Sequence, residues 1–162
     1  IVPSLTNTSV PLPTIQPTKK EKRPTPTPGL CLSIHSQIDT PQGPVAVENL
    51  HIGDLVWTVD ASGARVSVVI LKVKKTFVPA SHIVMHLVLN DGRELLASPG
   101  HPTADGRTLG TLQPGDLLDG ARITQVDQVV YGQPATYDIL PDGATGFYWA
   151  DGILLGSTLN SR

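Results

Sequence analysis

The chain has 162 residues, a formal net charge of −2, 16% charged and 40% apolar side chains. No basic stripe is present, which excludes an electrostatic nucleic-acid binder, and no apolar run approaches the roughly 18 residues needed to span a membrane. The low charge favours a compact, strand-rich domain over a coiled coil or a solvated tail, and the length suits one domain with a real core. The single cysteine, Cys31, cannot form an internal disulfide. It is either a small buried apolar residue or a reactive one. The sequence starts at Ile1 rather than Met, as expected of a piece of a longer protein, so any signal peptide would lie upstream.

Residues 1–30 are dominated by proline and threonine, with charges only in the cluster Lys19–Arg23. Proline lacks a backbone donor and resists helix and central strand. The segment is expected to be a disordered, extended, partly polyproline-II linker. Such spacers are common between domains of exported proteins, so a secreted or cell-surface bacterial setting is expected. Asn7-Thr8-Ser9 has the form of a glycosylation acceptor, which in a bacterial protein is read as chance.

At Leu30–Cys31 the composition changes. Turn material recurs at Pro41-Gln42-Gly43, Asp60–Gly63, Asn90-Asp91-Gly92, Asp105-Gly106, Pro114-Gly115-Asp116 and Pro141-Asp142-Gly143. Between these lie β-branched runs at Val45–Val47, Leu55–Val59, Val66–Val73, Ile83–Leu89, Ile123–Val130 and Phe147–Leu155. The spacing predicts an all-β domain over residues 31–159, with 160–162 as a tail. No segment holds a helical period beyond about two turns.

An internal repeat adds to this. Thr40-Pro41-Gln42-Gly43 leads into Leu50-His51-Ile52-Gly53-Asp54-Leu55, and Thr103-Ala104-Asp105-Gly106 leads into Leu112-Gln113-Pro114-Gly115-Asp116-Leu117. Both are a turn followed by L-x-x-G-D-L. The repeat predicts two similar β halves; the alternative is coincidence between two common strand–turn phrases.

Three pieces carry chemistry. They are Cys31-Leu32-Ser33-Ile34-His35-Ser36-Gln37-Ile38-Asp39-Thr40, then Leu96-Ala97-Ser98-Pro99-Gly100-His101-Pro102, then Thr136-Tyr137-Asp138-Ile139 with Phe147–Leu155 after it. In this order and spacing they resemble the Hint family, the module shared by hedgehog autoprocessing domains and inteins. The resemblance covers residues 31 to about 159. It implies a horseshoe-like fold of two pseudo-symmetric β halves, and a reaction in which the first cysteine attacks the preceding carbonyl. That N-to-S acyl shift turns the amide into a thioester.

The residues fit such chemistry on physical grounds. A free thiol titrates near 8.5, so it needs a base or an electropositive site. A departing amide nitrogen needs a proton, which an imidazole suits, and the developing oxyanion needs fixed donors. Cys31 is the candidate nucleophile and Leu30 supplies the attacked carbonyl; the alternative is a buried structural cysteine. His101 matches the histidine of the family's T-x-x-H and would protonate the nitrogen; the alternative is a turn residue between Pro99 and Pro102. Ser98 stands where the family has threonine and keeps a hydroxyl for the scissile bond. Asp138 matches the acid of the family's Y-D strand, there to accept the thiol proton or activate an incoming nucleophile; the alternative is a surface carboxylate. Ser36 falls at the family's early threonine, as a supporting hydroxyl near the site. His82 and His86 are even-spaced, so both would point to one face of a strand. They lack a third ligand, and no metal or cofactor is expected. His35 and His51 read as surface or strand residues.

The resemblance breaks at the far end. Inteins finish with His-Asn, whose asparagine cyclises, and here Gly156-Ser157 holds that place. Thr145 replaces the histidine often found before the aromatic. Asn160-Ser161 looks like a splice junction but follows Leu159, after the strand has ended, and is read as tail. Hedgehog proteins carry a further sterol-recognition region; none lies within these residues, so no lipid acceptor is carried over. The expectation is a single-turnover, cysteine-dependent cleavage in cis at Leu30–Cys31, without splicing. The substrate would be the chain's own N-terminal flank, the acceptor water, a thiol or an amine, and the acting species a monomer. Two alternatives remain: a degenerate Hint fold serving as a structural or binding module of a secreted protein, and a hydrolase acting on another chain.

Overall fold

The computed structural model describes Pro11 and residues 30–159. The linker expected over 1–30, apart from Pro11 and Leu30, and the tail expected over 160–162 lie outside the described residues. The described part is built from short strands. They are β1 Leu32–Ser33, β2 Gln37–Thr40, β3 Gly43–Ala46, β4 Leu55–Val59, β5 Arg65–Phe77 and β6 Ile83–Leu89. Then follow β7 Glu94–Ala97, β8 Leu117–Leu118, β9 Ala121–Val130, β10 Ala135–Pro141, β11 Phe147–Ala150 and β12 Ile153–Gly156. Among the described residues there is no α-helix, only 3₁₀ turns at Val47–Asn49 and Leu109–Thr111.

The strands form an eight-stranded sheet in the order β4-β5-β10-β1-β7-β6-β9-β8 and a four-stranded sheet in the order β12-β11-β2-β3. The larger order reads alike from either end. The β4–β5 hairpin hands its long strand to β10, and β9, paired with β8, is handed to β6 in the same manner. This is the horseshoe of two pseudo-symmetric halves.

The sequence repeat is the seed of that symmetry, atom by atom. Val47–Asn49 and Leu109–Thr111 each make a 3₁₀ turn just before L-x-x-G-D-L. Gly53 and Gly115 take φ of 92° and 98°, a region other residues reach only with strain. Gly53 N donates to Ile70 O and Gly115 N to Ile123 O; Ile70 N returns to Asp54 O and Ile123 N to Asp116 O. Asp54 accepts from His51 N and Asp116 from Gln113 N, both at 2.8 Å. Each phrase thus locks the start of one half onto its long strand.

The single run expected over Phe147–Leu155 is instead a hairpin. Asp151 and Gly152 both take positive φ, 51° and 76°, and reverse the chain between β11 and β12. Asp-Gly is the signature of a two-residue turn whose twist suits a hairpin. Asp119-Gly120, φ 46° and 78°, does the same between β8 and β9. Arg93 ties these turns together. Its guanidinium donates to Asp119 Oδ2 at 2.7 Å, Asp119 O at 2.9 Å, Gly152 O at 2.8 Å and Asp91 Oδ2 at 2.8 Å.

The core lies between the two sheets, with Leu32, Ile38, Ile139, Tyr148, Ile153 and Leu155 fully buried. All seven residues of β10 are buried, as befits a strand covered on both faces.

Arg93→Ala should therefore lower the thermal unfolding midpoint by roughly 4 °C, from about 1 kcal/mol of lost charge-assisted hydrogen bonding after solvent screening. A melting curve superimposable on the parent's would show that the turns stand without it.

Candidate functional site

Register places the site. Leu32 pairs with Tyr137 of β10 on one side and Ala97 of β7 on the other. One residue earlier in both antiparallel ladders, Cys31 lies between Asp138 and Ser98. Ser98 N donates to Cys31 O at 2.9 Å, extending the β7 ladder past its end. Thr136 and Asp138 of β10 face Thr76 and Lys74 of β5, so two hydroxyls and one cation come to the same neighbourhood.

Cys31 is buried, and its sulfur is 3.8 Å from Thr76 Oγ1. Burial pushes the thiol up, and the Asp138 charge adds to this. The hydroxyls of Thr76 and Thr136 and the charge of Lys74 work the other way. Thr136 Oγ1 is itself buried without a hydrogen-bond partner, a hydroxyl left over beside the sulfur.

His101 is delivered by a tight turn after β7. His101 N donates to Ser98 O at 3.0 Å, Gly110 N to Pro99 O at 2.8 Å and Leu109 N to His101 O at 3.0 Å. Gly110 is needed for this packing: a Cβ there would sit 3.0 Å from Pro99 Cβ and 3.1 Å from Pro99 O. The imidazole is fully buried. Its Nδ1 lies 2.6 Å from Leu30 O, the carbonyl of the Leu30–Cys31 peptide. A carbonyl only accepts, so Nδ1 carries the proton. The ring thus addresses the carbonyl oxygen, where the sequence suggested the nitrogen. Nε2 is 3.2 Å from the Tyr148 hydroxyl.

Asp138 is fully buried and reaches the site through that tyrosine. Tyr148 donates to Asp138 Oδ1 at 2.6 Å, and Ile139 N to the same oxygen at 2.8 Å. Thr158 N donates to Oδ2 at 2.7 Å, and the Thr158 hydroxyl to the same atom. The surface-carboxylate alternative is therefore excluded. Four donors satisfy the carboxylate, with none from Cys31.

The Ser98 hydroxyl is fully buried and faces His82 Nε2 at 3.2 Å, so it is the amide of Ser98, not its side chain, that touches Cys31. Ser36 sits on the turn after β1, its N bonded to Ser33 O and its O to Val47 N. Its hydroxyl is buried without a hydrogen-bond partner, and the residue borders a cleft of about 160 Å³ with His35, His86, Glu94 and Asp151, where Cys31 is not among the lining residues. His86 pairs with Glu94 at 3.0 Å, so the two even-spaced histidines have separate partners on the β7 side.

The structure thus gathers Leu30, Cys31, His101, the Ser98 amide and, through Tyr148, Asp138. Sequence reasoning missed Tyr148, Thr76, Thr136, Thr158 and His82. Tyr148 alone had a signal, a phenol in the middle of an otherwise apolar strand.

Burial pushes the His101 imidazole below its ordinary value near 6.5, opposed by the Asp138 charge and the Leu30 and Gly156 carbonyls. The unfolded chain then binds more protons than the folded one as pH drops through that value, so stability falls as pH falls. In a Cys31→Ala background, the unfolding midpoint should drop more steeply from pH 6.5 to 5 with His101 than with His101→Gln. Parallel curves would contradict the buried neutral ring.

The sequence model of the Hint domain family matches residues 30–104. No curated protein sequence matches the chain. Among solved structures, the gp41-1 intein is 25% identical with a TM-score of 0.60, covering 78% of this chain and 97% of its own. A DnaB intein from Synechocystis sp. PCC 6803 is 18% identical with a TM-score of 0.68, covering 80% and 99%. A bacterial intein-like domain from Clostridium thermocellum is 22% identical with a TM-score of 0.67, covering 79% and 98%. The fold supports a self-processing domain in general terms. The family match over residues 30–104, and the architecture shared with these solved structures, support a Hint, intein-like family for this chain.

Proposed function

We propose that the domain cleaves its own chain at Leu30–Cys31 through an N-to-S acyl shift. One observation carries the reading: a fully buried imidazole holds the Leu30 carbonyl oxygen at 2.6 Å, beside the only cysteine.

The Cys31 thiol gives up its proton as sulfur bonds to the Leu30 carbonyl carbon. The negative charge that develops on Leu30 O meets the His101 Nδ1 proton, an oxyanion donor already in place. The intermediate collapses by breaking the Leu30 C–Cys31 N bond, and that nitrogen takes up one proton, equal in number to the one the thiol lost. The products are a Leu30 thioester on Cys31 sulfur and a free Cys31 amine. Water, a thiol or an amine then attacks the thioester and releases the segment ending at Leu30. Thr76, Thr136 and Lys74 favour the thiolate against the burial that disfavours it. Their balance keeps the sulfur protonated until it attacks.

Splicing is not part of the proposal. Gly156 and Ser157 have no side-chain amide, so neither can cyclise to cut a second bond. The reaction is in cis and needs one copy of the domain. The Pro- and Thr-rich flank, read as a spacer of an exported protein, supports a secreted or cell-surface setting.

A fusion with a tag before Ile1, followed by mass spectrometry with and without dithiothreitol or hydroxylamine, tests this directly. Cleavage should occur between Leu30 and Cys31 and vanish in Cys31→Ala. His101→Ala should slow thioester formation by roughly a hundredfold or more. A chain that stays intact through long incubation with strong thiol nucleophiles, from neutral to mildly alkaline pH, overturns the proposal and leaves a binding or structural module.

A further inference from the structure

We propose that Tyr148 is a positioning residue that couples His101 to Asp138 through one shared proton, so that the ring facing Leu30 is completed when charged. The inference deepens the Leu30–Cys31 reading and rests on it for its catalytic meaning.

A line of contacts runs from Leu30 O to His101 Nδ1, from Nε2 to the Tyr148 oxygen, and from that oxygen to Asp138 Oδ1, at 2.6, 3.2 and 2.6 Å. Three contacts need three protons. Leu30 O has none to give. The carboxylate of Asp138 already accepts from Ile139 N, Thr158 N and the Thr158 hydroxyl as well as from Tyr148. A neutral imidazole supplies one proton and the phenol one, which leaves one contact without a hydrogen. With one further proton every contact is filled: both ring nitrogens donate, and the phenol donates to the carboxylate.

The surroundings agree. The Gly156 carbonyl also favours the charged ring. Burial and the nearby acid hold the Tyr148 phenol well above its ordinary value. It therefore does not ionise, and acts only by turning its single proton. Toward Asp138, it presents its oxygen to a charged His101; toward Nε2, it serves the neutral ring and leaves Asp138 one donor short. The other charged or titratable groups nearby are Cys31, beside Asp138, and Lys74, paired with Asp138 across the sheet. Neither lies on the line of contacts.

In the proposed reaction a doubly protonated ring is the stronger oxyanion donor. It also carries the proton that the departing Cys31 nitrogen must gain. Tyr148 is what lets a buried carboxylate that does not touch the ring favour that state against the burial that disfavours it.

The test uses ¹⁵N-histidine NMR of the full chain carrying Cys31→Ala, which cannot form the thioester. His101 should titrate with both ring protons visible and slowly exchanging on the acid side. Adding Tyr148→Phe should move its midpoint to lower pH by about one unit, a tenfold loss of proton affinity. A midpoint unchanged by Tyr148→Phe overturns the inference. Should that variant fail to fold, the parent decides alone: absence of a slowly exchanging Nε2 proton from the charged ring overturns the bridge. With Cys31 restored, the acid limb of the cleavage pH profile should move by the same amount in Tyr148→Phe. A wild-type chain that never cleaves refutes the Leu30–Cys31 reading, while the NMR result still judges Tyr148.

Discussion

Leu32 is hydrogen-bonded into two strands at once, β7 and β10, and both contribute to the site. β1 is only two residues long, far below the usual strand, and would not persist on one neighbour. It is held because its Leu32 is fully buried and because it fills the seam between the two halves of the larger sheet. Side chains alternate along a strand, so a slip of one residue would turn Cys31 to the opposite face, away from Thr76. Everything else at the site depends on this register. Until both halves have closed on β1, Cys31, His101 and Asp138 are residues far apart in the chain with no reason to meet.

The closed seam brings with it a fully buried acid. The stability of Asp138 there rests on donors. A buried carboxylate without partners would cost several kcal/mol, whereas hydrogen bonds to a charged group contribute roughly 1.5–3 kcal/mol each. Two of the donors come from Thr158, just past β12, and one from Tyr148 on β11. The carboxylate therefore ties the smaller sheet and the end of the described chain to the strand beside Cys31. The same charge disfavours the Cys31 thiolate. An always-ionised thiolate next to this acid would work against the fold, so a protonated thiol that is deprotonated only on attack is the form consistent with both.

What the sequence revealed divides along the same line. The runs Leu55–Val59 and Ile83–Leu89 are strands with those bounds, because turn residues mark both ends. The L-x-x-G-D-L repeat was visible because its glycines and aspartates make local bonds, within a few residues or to the next strand. The Asp151-Gly152 reversal was hidden inside an apolar run, although Asp-Gly is a strong turn signal; the flanking residues outweighed it. Cys31, Ser98, His101 and Asp138 stood out by residue type and order. Their relations did not. Nothing in the sequence says that the Ser98 hydroxyl turns to His82, or that Asp138 reaches His101 through a phenol on another sheet. These depend on pairings between residues tens of positions apart, which local patterns do not encode.

The two ends of the domain differ in chemistry rather than in space. At the N-terminal side, the structure supplies a thiol, a donor on the carbonyl and a buried proton network. At the other side, Gly156 N is held by Pro102 O at 3.1 Å and Ser157 N by Gly146 O at 2.9 Å. A Cβ on Gly156 would meet only Pro102 and Phe147 side-chain carbons at 3.5–3.8 Å, ordinary van der Waals contact. Gly156 is thus not forced by crowding, nor by a positive φ, which it lacks among the glycines of this chain. The fold has room there for a side chain, and Gly-Ser simply supplies none that can cyclise. The carbonyl of Gly156 instead favours the charged form of His101. In the proposed reaction the far end of the domain therefore serves the first bond: its backbone helps hold the proton on the ring that addresses Leu30.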